Sequence, residues 1–138
     1  MTEAETDLET IVATALRLAK QELLTASEFT PFAIVIDDDG RLLAVDLDTS
    51  ALGKHPELDE VAEATRVHLT RLASTVRCTA LTLNTRLVNE RSDAIEIRTE
   101  HRDGIALLTL LTYKRPKFGG STEYGQPRTY PGTREVWA

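Results

Sequence analysis

Asp93-Ala-Ile-Glu-Ile-Arg-Thr-Glu-His101, Arg102-Asp-Gly104 and Ile105-Ala-Leu-Leu-Thr-Leu-Leu-Thr-Tyr113 follow one another without interruption, and their pattern decides the fold class. Ile95, Ile97 and Thr99 alternate with Glu96, Arg98 and Glu100, the two-residue period of a strand with one buried and one polar face. Asp103-Gly104 is the chemistry of a tight hairpin. The returning run is apolar at nearly every position, which predicts a strand covered on both faces and therefore central in its sheet. Upstream, Leu81, Leu83, Thr85 and Leu87 alternate with Thr82, Asn84 and Arg86. Three strands in succession predict an antiparallel meander.

Working towards the N-terminus, Phe32-Ala-Ile-Val-Ile36 is a second continuous apolar run, Asp37-Asp-Asp-Gly40 is a turn, and Arg41–Leu47 returns as a strand. Leu58, Val61, Ala62, Thr65, Leu69, Leu72 and Ala73 recur at helical steps behind Pro56. Leu8, Ile11, Val12, Ala15, Leu18, Ala19, Leu23 and Ala26 do the same for a first helix that stops near Ser27, with Thr2 and Thr6 as capping residues. The expected fold is α+β: order αββαβββ, a five-stranded antiparallel sheet in the order 2-1-5-4-3, and two helices on one face. Residues 1–114 form the domain. Residues 115–138, rich in Gly and Pro, form an extended C-terminal segment packed on the domain or on a partner subunit.

The chain has 138 residues, 41% hydrophobic and 28% charged, ordinary values for one globular domain that exclude a collagen-like or fully disordered chain. The nine-residue run Ile105–Tyr113 is too short to cross a bilayer, and the acidic start Met1–Asp7 is no signal peptide. One cysteine, Cys78, fits a reducing cytoplasm. Residues 1–103 hold 20 acids and 11 bases, whereas residues 104–138 hold 2 and 5. A body of net charge −9 argues against nucleic acid as a partner.

The chemical motifs weigh against catalysis. Val45-Asp46-Leu47-Asp48-Thr49 matches the nucleophile motif of haloacid dehalogenase-type phosphatases, but it closes an antiparallel hairpin and lacks that family's parallel sheet. Asp37, Asp38 and Asp39 are consecutive, whereas calcium loops place ligands at alternate positions. His55, His68 and His101 have no zinc spacing, and Cys78 has no partner thiol. In Glu100-His101-Arg102-Asp103-Gly104, Glu100 and His101 point to opposite faces and do not converge. No Gly-rich phosphate loop or nucleophile elbow is present. No catalytic residue, metal ligand or cofactor is therefore assigned.

The polar strand faces and Tyr113 supply a candidate surface or pocket cluster of Arg86, Glu96, Arg98, Glu100 and Tyr113. Four of the seven aromatics, Phe118, Tyr124, Tyr130 and Trp137, lie in the last 21 residues and are expected to anchor that segment. The expected function is a noncatalytic protein-binding or dimerisation module, cytoplasmic and homodimeric. One alternative is an immunity or inhibitor protein that neutralises a toxin. Another is a small-molecule-binding protein or enzyme with a pocket near the sheet.

Phe29-Thr-Pro-Phe-Ala33 with Asp39-Gly40, and Ser92-Asp-Ala-Ile-Glu-Ile97 leading to Glu100-His-Arg-Asp-Gly104, resemble a family of small bacterial proteins of unknown function over residues 28–113. The resemblance implies no activity. In topology the element order is similar to roadblock and profilin-like folds, which implies an interaction module that dimerises through a helix or a sheet edge.

Overall fold

The computed structural model describes all residues, 1–138. Helix α1 (Glu3–Glu22) begins where Thr2 turns extended and its hydroxyl oxygen accepts the Glu5 N–H at 3.1 Å, satisfying a first-turn amide that has no partner within the helix. A hairpin of β1 (Phe32–Asp37) and β2 (Leu42–Ala44) leads to α2 (Leu58–Leu72). The meander β3 (Val76–Leu87), β4 (Ser92–His101) and β5 (Ala106–Lys114) follows. Two short strands close the chain, β6 (Glu123–Tyr124) and β7 (Arg128–Pro131), both antiparallel to β5.

The architecture is α+β on an antiparallel sheet, and three details correct the expectation. The sheet has seven strands rather than five and curls into a half-barrel. Its order is β2-β1-β3-β4-β5, with β6 and β7 along the outer edge of β5, rather than 2-1-5-4-3. After α2 the chain returns beside β1, and β3, twelve residues long, pairs with both β1 and β4. The apolar strand β5 is thus not the centre. Its outer edge is covered by the tail, with Leu107, Leu108 and Leu110 opposite Pro131, Tyr130 and Arg128. Apolar patterning cannot distinguish burial under a helix from burial beside a distant piece of the same chain.

The third correction concerns the helices, which lie on opposite faces of the sheet. Cross-strand partners share a face, so Ile34, Ile36, Cys78, Ala80, Ile95, Ile97 and Leu111 form one apolar layer with Leu8, Ile11, Ala15 and Ala19 of α1. Ala33, Val35 and Leu81 form the other, with Leu69 and Leu72 of α2. This is why β1 is buried along both of its faces.

One irregularity fastens α1. Ile36 pairs with Cys78 but Asp37 pairs with Val76, so Arg77 is an extra residue, a β-bulge. Arg77 turns towards α1, where Nε and Nη2 reach the two carboxylate oxygens of Asp7 at 2.8 and 3.1 Å. His101 Nε2 lies 3.0 Å from Asp7 Oδ2. His101 Nδ1 accepts the Asp103 N–H at 3.1 Å, which places the ring proton on Nε2, facing the carboxylate. Both side chains are buried, at 6% exposure for Asp7 and 1% for His101.

Burial pushes the Asp7 pKa up, but the hydrogen bonds from Arg77 and His101 outweigh it and hold the carboxyl below its ordinary value of 3.8. A carboxylate whose folded pKa is lowered contributes stability above its unfolded pKa, and that stability is lost as pH falls through the folded value. Asp7→Ala is therefore expected to cost about 3 kcal/mol in urea unfolding at pH 7, the penalty of stranding a buried charge partner. The difference from the parent should shrink in acid below pH 3.8. An equal midpoint for both proteins at pH 7 would refute this role.

Candidate functional site

Strand alternation places Glu96, Arg98 and Glu100 of β4 on the α2 face, opposite Leu83, Leu81 and Thr79 of β3. Helix α2 covers only part of that face. Beyond it lies a cleft of about 480 Å³, floored by Thr79, Leu81, Glu96, Arg98, Glu100 and Leu108 and walled by Arg66 and Leu69 of α2. The opposite wall is the C-terminal segment, Pro131 to Val136.

That segment is held as a strap. Glu100 is 4% exposed. Its carboxylate accepts the N–H groups of Glu135, Val136 and Trp137 at 3.0, 2.7 and 3.4 Å, with Arg134 Nε 3.9 Å away. Three backbone amides replace the water that this buried anion gave up. The Trp137 indole N–H donates to the Ala73 carbonyl at 3.1 Å, pinning the end of the strap to the C-terminus of α2. Where the chain leaves β7, a Cβ on Gly132 would come within 2.9 Å of the Leu107 backbone, so only glycine fits.

The cationic groups in the cleft differ in what they have left to offer. Arg66 gives Nε and Nη2 to Glu63 at 2.9 and 2.5 Å and lies 3.7 Å from Glu135. The Glu63 carboxyl is held below its ordinary range, chiefly by the hydrogen bond from Arg66, and Arg98 adds to the same field. Arg98 therefore acts on the α2 side of the cleft. Its Nε donates to Glu96 at 2.6 Å, its side chain is 43% exposed, and its terminal nitrogens make no hydrogen bond within the chain.

The five residues expected to cluster are divided by the sheet. Glu96, Arg98 and Glu100 line the cleft. Arg86 pairs with Asp93 at 3.2 Å and shares its face with Ile95 and Ile97. Tyr113 is buried on that α1 face, where its O–H donates to the Ser27 carbonyl at 3.0 Å and its oxygen accepts from Asn84. Burial pushes the Tyr113 phenol up to about 12. Asn84 Oδ1 in turn accepts the Phe29 N–H at 2.7 Å, so Tyr113 ties down the linker from α1 to β1. The split follows from register: Arg86 and Glu96 both occupy polar phases of their strands, but those phases face opposite ways.

The tail aromatics divide similarly. Tyr124 packs on Tyr113 with ring centroids 6.4 Å apart, beneath Lys20 Nζ at 4.8 Å, and Trp137 is anchored as described. Phe118 is 99% exposed and Tyr130 42%, so neither is a buried anchor. Phe118 stands outside the strands, beside Gly119 and Gly120, both at positive φ.

Sequence reasoning missed Asp7, Arg66 and Glu135. Asp7 carried a signal, since it lies on the apolar stripe between Ala4 and Ile11 at helical spacing. Arg66 and Glu135 carried none, because their positions depend on where the strap crosses. No three His, Cys, Asp or Glu side chains are grouped to hold a metal ion, and no helix is long and apolar enough to cross a membrane.

Fold and site together define an α+β protein with a charged cleft closed by its own C-terminal strap. No family model, curated protein or solved structure matches this chain.

Removing the carboxylate with Glu100→Ala leaves three strap amides without their acceptor. The expected cost is about 2 kcal/mol, with at least tenfold faster hydrogen exchange over residues 133–138 and a red shift of Trp137 fluorescence. Glu96→Ala serves as the control and should leave strap exchange unchanged. Equal protection in the two variants would show that Glu100 does not hold the strap.

Proposed function

We propose that this chain is a noncatalytic binding module that works as a homodimer and presents its strapped cleft to a protein partner. The observation that carries this reading is how its polar groups are used. Glu100, the most buried carboxylate in the cleft, is occupied by three backbone amides. His101 lies on the other face with both ring nitrogens engaged. Among the groups left free in the cleft are the terminal nitrogens of Arg98, beside the apolar surface of Leu108. Arginine is one of the residues enriched at the centres of protein interfaces.

A second reading, a small-molecule site, is favoured by the cleft volume of about 480 Å³, which lies in the range of ligand pockets. The acidic body supports a third, an inhibitor of a basic toxin through complementary charge.

Native mass spectrometry of the untagged protein taken from its own cells, beside a Leu108→Arg variant that fills the cleft, separates these readings. The expected spectrum is a homodimer carrying a protein partner that Leu108→Arg loses. A small added mass lost with the same variant would replace the proposal with the ligand reading, and a stoichiometric basic toxin would replace it with the inhibitor reading. A spectrum identical for both proteins would overturn the role of the cleft.

A further inference from the structure

The sheet has one edge that nothing covers. On one side β5 is closed by β6 and β7. On the other, β2 ends the sheet, and all three of its residues are exposed. Leu42 and Leu43, at 37% and 46% exposure, are among the few large apolar side chains open to water. Natural sheet edges are usually blunted by shortness, charge, proline or a covering element; β2 is three residues long, but Leu-Leu-Ala brings neither charge nor proline.

The backbone register shows which groups are open. Asp37 N–H donates to Arg41 O, and Val45 N–H donates to Ala33 O. Between those bonds Val35 lies opposite Leu43. Arg41, Leu43 and Val45 therefore turn their peptide groups towards β1. By the alternation of an antiparallel ladder, Leu42 and Ala44 turn theirs outward. Two N–H donors and two C=O acceptors face solvent on a strand whose side chains are apolar.

We infer that the β2 edge is a homodimer interface, in which β2 of one copy pairs antiparallel with β2 of a second copy about a two-fold axis at Leu43. This rests on the homodimeric reading above and names its surface. The arrangement is self-complementary. With Leu43 opposite Leu43, Leu42 of each copy meets Ala44 of the other, and the four outward groups on each strand make four hydrogen bonds in all. The side chains agree with the backbone. Leu43 lies on the α2 face at a hollow whose apolar lining is Val35, Val45, Leu72 and Val76, with Asp37, Asp46, His68 and Thr75 also lining it. In the two-fold pairing, the projecting Leu43 of each copy lies against the hollow of the other.

A single cysteine tests the axis. Residues facing each other in a non-hydrogen-bonded antiparallel pair have Cα atoms about 4.5 Å apart, within disulfide reach. The native Cys78 is fully buried and burial pushes its thiol up to about 12, so it is a silent background. Leu43→Cys is expected to form a disulfide-linked dimer under mild oxidation. Val88→Cys, at a position 77% exposed, should form at least tenfold less. Independently, Ala44→Pro removes an outward N–H that no intrachain bond uses, and should weaken the dimer at least tenfold in sedimentation equilibrium, with circular dichroism confirming the fold. A dimer that ignores Ala44→Pro and does not cross-link through Leu43→Cys would overturn this edge while leaving the homodimer standing. A parent protein that stays monomeric at high concentration would overturn both.

Discussion

A single buried carboxylate joins the two halves of this fold. Asp7 lies on the apolar stripe of α1, where an unpaired charge would carry a desolvation cost of several kcal/mol. It is tolerated because a guanidinium and an imidazole reach it from the sheet. Meeting that requirement shapes the chain elsewhere. The bulge in β3 exists where Arg77 must turn towards α1, out of step with the strand's alternation. The β4–β5 turn closes where His101 can spend one nitrogen on Asp7 and the other on the Asp103 amide. The same turn touches the β1–β2 hairpin through Arg102 and Asp38, 2.6 Å apart.

Strand β4 carries the second anchor as well, on its other side. Glu100 and His101 are neighbours in sequence, and alternation sends one to each face. His101 fastens the N-terminal helix and Glu100 fastens the C-terminal strap, so one dipeptide secures both ends of the chain to opposite sides of the sheet. This accounts for a dense polar cluster that resembles an acid–base site in the sequence. Glu100 and His101 are separated by the thickness of the sheet, and the carboxylate of one and both ring nitrogens of the other are taken up by structure. What the protein leaves to solvent is of another kind: an arginine head over leucines in the cleft, and a bare strand edge.

Much of this was legible locally. Helical spacing from Leu8 to Ala19 marked α1, the Asp-Gly pairs marked both hairpin turns, and alternation from Ile95 to Glu100 marked β4 and the faces of its side chains. Glu96, Arg98 and Glu100 were therefore recognisable as one group. Arg86 and Tyr113 were wrongly joined to it, because the phase of one strand relative to its neighbour is set by pairing register, which no single strand contains. Phe118 and Tyr130 looked like anchors by residue type alone, although an aromatic side chain is buried only where a surface waits for it.

By itself, then, the sequence determined the kind and order of the main elements and the faces within each strand. Periodicity and turn chemistry act over a few residues and need no partner. The tertiary structure alone decided the strand order, the placement of the helices on opposite faces, the use of the tail as two further strands and a strap, and the cleft beneath it. Each of those is a contact between residues distant along the chain: Asp7 with His101, Glu100 with Val136, Leu108 with Tyr130. Such contacts depend on which surfaces fit and which buried charges find partners, and the spacing of residues in one segment carries no record of that.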